Sequence, residues 1–323
     1  MAAGRWDARS LTGFAVMVTL LGGAFVAIRY ADRELPPFAA GAAQFALAGA
    51  LLALFVVVRG LAFPRGKALA VAVAYGSLNF GVNFGLLFWG IAAVPAGMSA
   101  VIFATMPLST LGLAVALGLE RFTKRGIVGA FLALGGVALV FASGLRADLP
   151  LERMLAIFGG SVAAAAGGIL VKRFPPGHPV PVNAVGMPVA ALMLASAAAL
   201  SGESPALPHL TATWLAMAWL VAGAAVAFSI RVWLLGRWSA SAVSYQAVLQ
   251  PLVAVVMAAG LGGERPGLLL AAGGALVLLG LWLAVLAPGP RASEAGRVPP
   301  PAQPPGAQPV GPADVPQREN VDH

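Results

Sequence analysis

The chain has no cysteine and very little charge. With Cys missing from all 323 residues, disulfide frameworks and thiolate metal centres are excluded. The three histidines, His178, His209 and His323, fall in expected loops or the tail, so no imidazole is placed to ligate a metal or act as a base within a helix. Charged residues make up 10% of the chain, against about a quarter in soluble domains, and the mean hydropathy is +0.88. A water-soluble fold could not cover that much apolar surface. None of the twelve acidic residues lies deep inside an apolar stretch, which argues against a proton relay or metal-coupled pump built on buried carboxylates. There is no Gly-rich loop ending in Gly-Lys-Ser/Thr, so neither ATP hydrolysis nor a bound cofactor is implied. The net charge of +8 would suggest nucleic acid for a soluble protein. Here the basic residues gather at the ends of apolar stretches, so the expected partner is a lipid bilayer and not nucleic acid.

A helix needs roughly 20 apolar residues to cross the hydrocarbon core. Charges, Pro and Gly divide the chain into ten stretches near that length, at 11–29, 36–58, 68–90, 96–118, 125–143, 152–172, 180–200, 211–233, 239–262 and 265–287. The fold class is therefore an all-α integral membrane protein. With the N-terminus in the cytoplasm, fifteen Lys and Arg residues, among them Arg5, Lys67, Lys172 and Arg231, lie inside, and five, Arg29, Arg33, Arg146, Arg153 and Arg265, lie outside. That bias predicts a multi-pass inner-membrane protein with both termini cytoplasmic. From about Ala287 the chain carries ten of its 25 prolines and few large apolar residues, the composition of a disordered cytoplasmic tail over 288–323.

Sliding the chain against itself by 144 positions superimposes Pro107 on Pro251, Glu120 on Glu264, Arg121 on Arg265, Gly129 on Gly273 and Gly136 on Gly280. The same offset brings Gly23 onto Gly167 and Trp89 onto Trp233, so the match runs through most of both halves. Residues 1–144 and 145–287 thus form two repeats of five helices. Because five is odd, the second repeat enters from the side on which the first ended, and the two are inverted. Inverted repeats underlie alternating access in many secondary transporters, although fold symmetry alone carries that link only by analogy.

The stretch GIAAVPAGMSAVIFATMPLSTLGLAVALGLERFTKRGIVGAFLALGGVALV, residues 90–140, has a central Pro, a Leu-Glu-Arg helix end and glycines seven apart in the next helix. Residues 238–283 repeat those elements around Pro251, Glu264 with Arg265, Gly273 and Gly280. In these features the chain resembles the ten-helix, EamA-type branch of the drug/metabolite transporter superfamily over about its first 287 residues. The resemblance implies a ten-helix carrier of small metabolites or drugs with both termini cytoplasmic. It fixes no substrate, since these motifs belong to the family scaffold.

Several side chains are candidates for function. In the third span Tyr75, Asn79 and Asn83 recur every four residues, placing a phenol and two amides on one helical face. An amide turned to lipid would lose its hydrogen-bond partners at a cost of several kcal/mol, so this face looks either into a cavity or onto a neighbouring helix. The ninth span offers Ser241, Tyr245, Gln246 and Gln250; the second adds Gln44, the fourth Thr105 and the sixth Ser161. The substrate-binding set is accordingly Gln44, Tyr75, Asn79, Asn83, Thr105, Tyr245, Gln246 and Gln250. Pro107 and Pro251 each remove a backbone donor and free a carbonyl, at Phe103 and Ala247, and so act either as hinges lining the path or as fixed kinks. Gly129 and Gly136, like Gly273 and Gly280, permit close approach, so that the fifth and tenth helices pack against each other or across a homodimer. Glu120 and Glu264 sit at helix ends beside Arg, where a local ion pair competes with a gating role.

The leading expectation is a non-enzymatic secondary transporter, an exporter of small organic metabolites or drugs by alternating access through a cavity between the repeats. Two alternatives belong to other classes: a membrane enzyme acting on lipid-like substrates, which lacks paired carboxylates or an intramembrane His, and a non-transporting scaffold or sensor using the Pro-rich tail.

Overall fold

The computed structural model describes residues 7–118, 128–129, 131–133, 135–136, 138–140, 142, 148–204, 206–238, 240–261 and 267–283. Glu120, Glu264, Arg121, Arg265 and the tail from 288 onward lie outside the described residues.

Every described element is helical. In chain order they are α1 (Ala8–Ala31), α2 (Pro37–Val58), α3 (Lys67–Gly76), a π-helical turn (Ser77–Val82), α4 (Asn83–Ile91), α5 (Ala96–Phe103), α6 (Met106–Ala116), α7 (Phe131–Val140), α8 (Leu151–Arg173), α9 (Pro179–Leu200), α10 (Thr211–Leu235), α11 (Ala240–Ser244), α12 (Gln246–Leu261) and α13 (Leu268–Leu281). Taking α3 through α4 as one rod and α5 with α6 as another, seven spans among the described residues are long and apolar enough to cross a membrane. Large apolar side chains on the outer faces of the described helices remain exposed, Leu192 at 71%, Val256 at 72% and Leu268 at 86% among them. In a bilayer that surface meets acyl chains.

Local chemistry sets the helix ends. Asp7 accepts the Ser10 amide at 2.9 Å and opens α1, prolines stand in the first turns of α2, α6 and α9, and Gly60 takes a positive φ just beyond the end of α2. The fourth span is broken. It is helical to Phe103 and restarts at Met106, so Pro107 stands at the beginning of a second half-helix and not inside a continuous one. Its ring and missing N–H are tolerated there because first-turn donors have no intrahelical partner. The ninth span breaks at Tyr245, and Pro251 lies inside α12.

The duplication is visible in the helix bounds. Lys67–Ile91 and Thr211–Leu235, both 25 residues long, coincide end for end at the offset of 144. The packing of equivalent helices also reveals their relative direction. A Cβ on Gly41 of α2 would meet Leu194 of α9 at 3.0 Å, and one on Gly49 would meet Pro188 at 2.7 Å; as the number rises in α2 it falls in α9. Likewise Gly136 of α7 faces Gly273 of α13, while Gly280 faces Gly129 and Ala133. Equivalent helices therefore run antiparallel, as an axis in the membrane plane requires; an axis along the membrane normal would leave them parallel. Each repeat reaches into the other: α1 packs on α10 and α12, and its counterpart α8 packs on α4 and α6.

Cations close this reciprocal arrangement at the helix ends. Arg29 Nη1 donates to the Ile91 and Ala92 carbonyls at 3.2 and 2.9 Å. In the second repeat Lys172 Nζ donates to Leu235, the counterpart of Ile91, at 3.0 Å, and to Trp238 at 2.9 Å. Both satisfy carbonyls that a helix C-terminus leaves without partners.

Candidate functional site

Where the two repeats meet, α1, α4 and α5 from the first face α10 and α12 from the second across a narrow cleft. Its polar lining is Asn83, Arg231, Gln246 and Gln250; its apolar walls include Phe25, Phe84, Phe103 and Phe228. The cleft is tight, with a cavity volume of about 20 Å³. It is a slot that an organic solute would have to widen. A second, smaller space of about 10 Å³ shares Leu21, Ala24, Phe84 and Phe228 with the first and is bounded by Gln44.

The polar wall is built by close approach. The π-helical turn carries Asn79 into the bundle, and such turns within α-helices recur at functional positions. Asn83 Nδ2 donates to the Asn79 carbonyl at 3.0 Å, which keeps the two amides on one face across the widened turn. Opposite them, α8 presents glycines. A Cβ on Gly160 would stand 3.0 Å from the Asn83 carbonyl, one on Gly167 3.0 Å from Asn79 Cβ, and one on Gly168 3.2 Å from Arg231 Nη2. The small surface of α8 is what lets these polar groups fit.

Arg231 is the residue that sequence reasoning misplaced. The charge count puts it with the cytoplasmic basic residues, but α10 continues to Leu235, and the side chain turns inward with 2% of its surface exposed. Arg231 Nη1 donates to Asn79 Oδ1 at 2.5 Å and Nη2 to the Ala164 carbonyl at 3.0 Å, while Nε has no partner. Neither partner is charged. A guanidinium buried without a carboxylate is costly, and inside a membrane it marks a functional position by default.

The other predicted residues divide into three groups. Asn83, Gln246 and Gln250 come together in the cleft, each buried, and their amide oxygens Asn83 Oδ1, Gln246 Oε1 and Gln250 Oε1 have no partner. Gln44 donates to the Leu220 carbonyl at 3.1 Å and lines the adjoining space. Tyr75 and Thr105 do not line the cleft: Tyr75 is fully buried against the Phe80 ring, and Thr105 bonds the Ile102 carbonyl at 2.8 Å and the Ser161 hydroxyl at 3.1 Å beside the helix break. Tyr245 stands half-buried at the break in the ninth span. Phe84, near Tyr75 in the sequence and so a candidate stacking ring, meets its equivalent in the second repeat, Phe228, edge to face at 5.7 Å; the 144-residue offset, applied to phenylalanine, would have added Phe228.

This architecture agrees with the similarities of the sequence. The profile of the EamA-like transporter family matches residues 10–142 and again residues 152–286. The chain belongs to the EamA-like transporter family. It is 30% identical over 246 residues to the uncharacterized inner membrane transporter YedA of Escherichia coli (strain K12), covering 75% of this chain and 79% of that one. It is 25% identical over 283 residues to a probable amino-acid metabolite efflux pump of Salmonella typhimurium, covering 84% and 92%, and 30% identical over 248 residues to a probable terminal-alkyne amino-acid exporter of Streptantibioticus cattleyicolor, covering 74% and 81%. A solved crystal structure superimposes with a TM-score of 0.65 at 20% identity, covering 87% of this chain and 99% of the other, which speaks to the fold alone. This EamA-like protein is thus a multi-pass membrane transporter and not an enzyme. The cleft lies where its two EamA repeats meet.

Proposed function

We propose that this transporter exports small organic metabolites by alternating access, binding them in the cleft between the repeats. The observation that carries the reading is the convergence of Asn83, Gln246 and Gln250 from both repeats on one buried space, with three amide oxygens unpartnered. Buried acceptors without donors cost about 1–3 kcal/mol each. A solute bearing N–H or O–H groups satisfies them and recovers that cost. The phenylalanine walls suit an apolar body.

Inversion provides the switch: when the repeats exchange conformations, a cleft open to one side becomes open to the other. The breaks at Ala104–Thr105 and Tyr245 adjoin the cleft residues Phe103 and Gln246, with Pro107 and Pro251 following them as the points about which the half-helices pivot. The direction is export, as for the efflux and exporter relatives, and both termini lie in the cytoplasm, in keeping with the distribution of basic residues.

The reading is tested by flux in proteoliposomes over amino acids, nucleobases and cationic drugs, with and without a pH gradient. Wild type should move a subset, and Asn79→Ala combined with Gln250→Ala should lose affinity for it. If the double variant matches wild type in rate and affinity, the cleft is not the binding site.

A further inference from the structure

Arg231 is more than another polar wall residue. Among the groups lining the cleft it alone is charged, and that sets the charge of what it can hold. A dianion would leave one negative charge uncompensated among phenylalanines, a neutral solute would leave the guanidinium on neutral partners, and a cation would be repelled. A monoanion balances the site. The planar fork of a guanidinium matches the planar carboxylate through two parallel N–H···O bonds.

The present partners of Arg231 fit an exchangeable arrangement. Asn79 offers one amide oxygen with the shape of half a carboxylate, and Ala164 offers a backbone carbonyl. A purely structural bridge across the π-helical turn, α8 and α10 would be stronger with Asp at position 79. Instead Nε is unpartnered, Asn79 Nδ2 is unpartnered, and the guanidinium fits against α8 only because Gly168 has no Cβ, which would stand 3.2 Å from Nη2. The first repeat has Leu87 at the position equivalent to Arg231, on the facing wall of the same cleft, so the anion receptor belongs to the second repeat alone.

We infer that Arg231 receives the carboxylate of the transported solute, with Asn79 as the partner it exchanges, so that the ligand class is organic monocarboxylates with an apolar body. This rests on the transport reading above and narrows its substrate class. The unpartnered amide oxygens then take whatever N–H or O–H groups the body carries.

The test measures binding and flux separately on the purified full-length protein. Four probes share one ring: N-acetylphenylalanine, 3-phenylpropionate, phenylalaninamide and phenethylamine, with sodium chloride as the inorganic control. Thermal stabilisation is expected from the two carboxylates and not from the amide, the amine or chloride. Asn79→Asp places a carboxylate on Arg231 within the protein. That variant should fold at least as stably as wild type while its affinity for both carboxylates falls about 10- to 100-fold, and Arg231→Lys should weaken the same two probes selectively by removing the fork. A structural role for the pair predicts the gain in stability without the loss of affinity. Equal binding of the amide or amine, stabilisation by chloride alone, or unchanged carboxylate affinity in Asn79→Asp would overturn the inference. Carboxylate binding without flux of any probe would leave Arg231 as a receptor and refute transport instead.

Discussion

Substitution of Gly136 by Ala places one methyl group where α7 and α13 touch. The added Cβ would lie 2.6 Å from the Gly273 carbonyl oxygen and 2.6 Å from the Val277 amide nitrogen, whereas ordinary contact begins at 3.4 Å. Both obstacles are backbone, so no side chain can turn aside. The helices must separate locally by about 0.8 Å, loosening the neighbouring contacts of Gly273 with Val140 and of Gly280 with Ala133. Overpacking of this kind costs about 1–3 kcal/mol. Equilibrium unfolding in mixed micelles should show a loss of that size for Gly136→Ala. Gly112→Ala is the control, since nothing lies within 4 Å of its added Cβ, and it should leave stability within about 0.5 kcal/mol of wild type. Gly273→Ala should be destabilising as well, and the double variant should cost less than the sum of the singles because one separation accommodates both methyls. Equal stability of Gly136→Ala and Gly112→Ala would refute the close contact.

Burial raises the Asp32 carboxyl to about 8, more than the nearby Arg29 lowers it, and Glu203 adds to the rise. A folded carboxyl titrating above its unfolded value binds extra protons in the folded state, so stability should fall as pH rises from about 4 to about 8 and then level off. Thermal melts across that range should show the decline, and Asp32→Asn should flatten it. Lys172→Met removes the donor to the Leu235 and Trp238 carbonyls and should speed amide exchange at the C-terminal end of α10. Thr105→Val breaks the hydroxyl pair with Ser161 and should cost about 0.5–1.5 kcal/mol in the same unfolding assay.

Much of the fold was legible because hydrophobic length and an internal offset are strong signals. The third span and its counterpart were placed within two residues of their observed ends, and an odd number of helices per repeat implied the inversion that the antiparallel α2–α9 and α7–α13 pairs display. Less could be read of the breaks. A proline near the middle of an apolar stretch announces an interruption, but missing donors can be absorbed at the start of a second half-helix, as at Pro107, or inside one, as at Pro251, and sequence does not separate these cases. In the site, the four-residue spacing of Asn79 and Asn83 found the amide face, even though a π-helical turn stands between them. Arg231 escaped because an arginine near a helix end and one buried a turn inside it look alike in a hydropathy profile. What separates them is the packing partner, and the glycines of α8 that make room for it lie more than sixty residues earlier in the chain.

A cleft shared between the repeats depends on their being threaded in opposite directions, and the absence of native cysteine makes that directly measurable. Ala62 and Ala206 are equivalent positions, both exposed in the loops after α2 and α9. Single Ala62→Cys and Ala206→Cys variants, treated with a membrane-impermeant maleimide in right-side-out and inside-out vesicles, should label from opposite faces. Labelling of both from the same face would contradict the inversion, and with it a cleft shared between antiparallel halves.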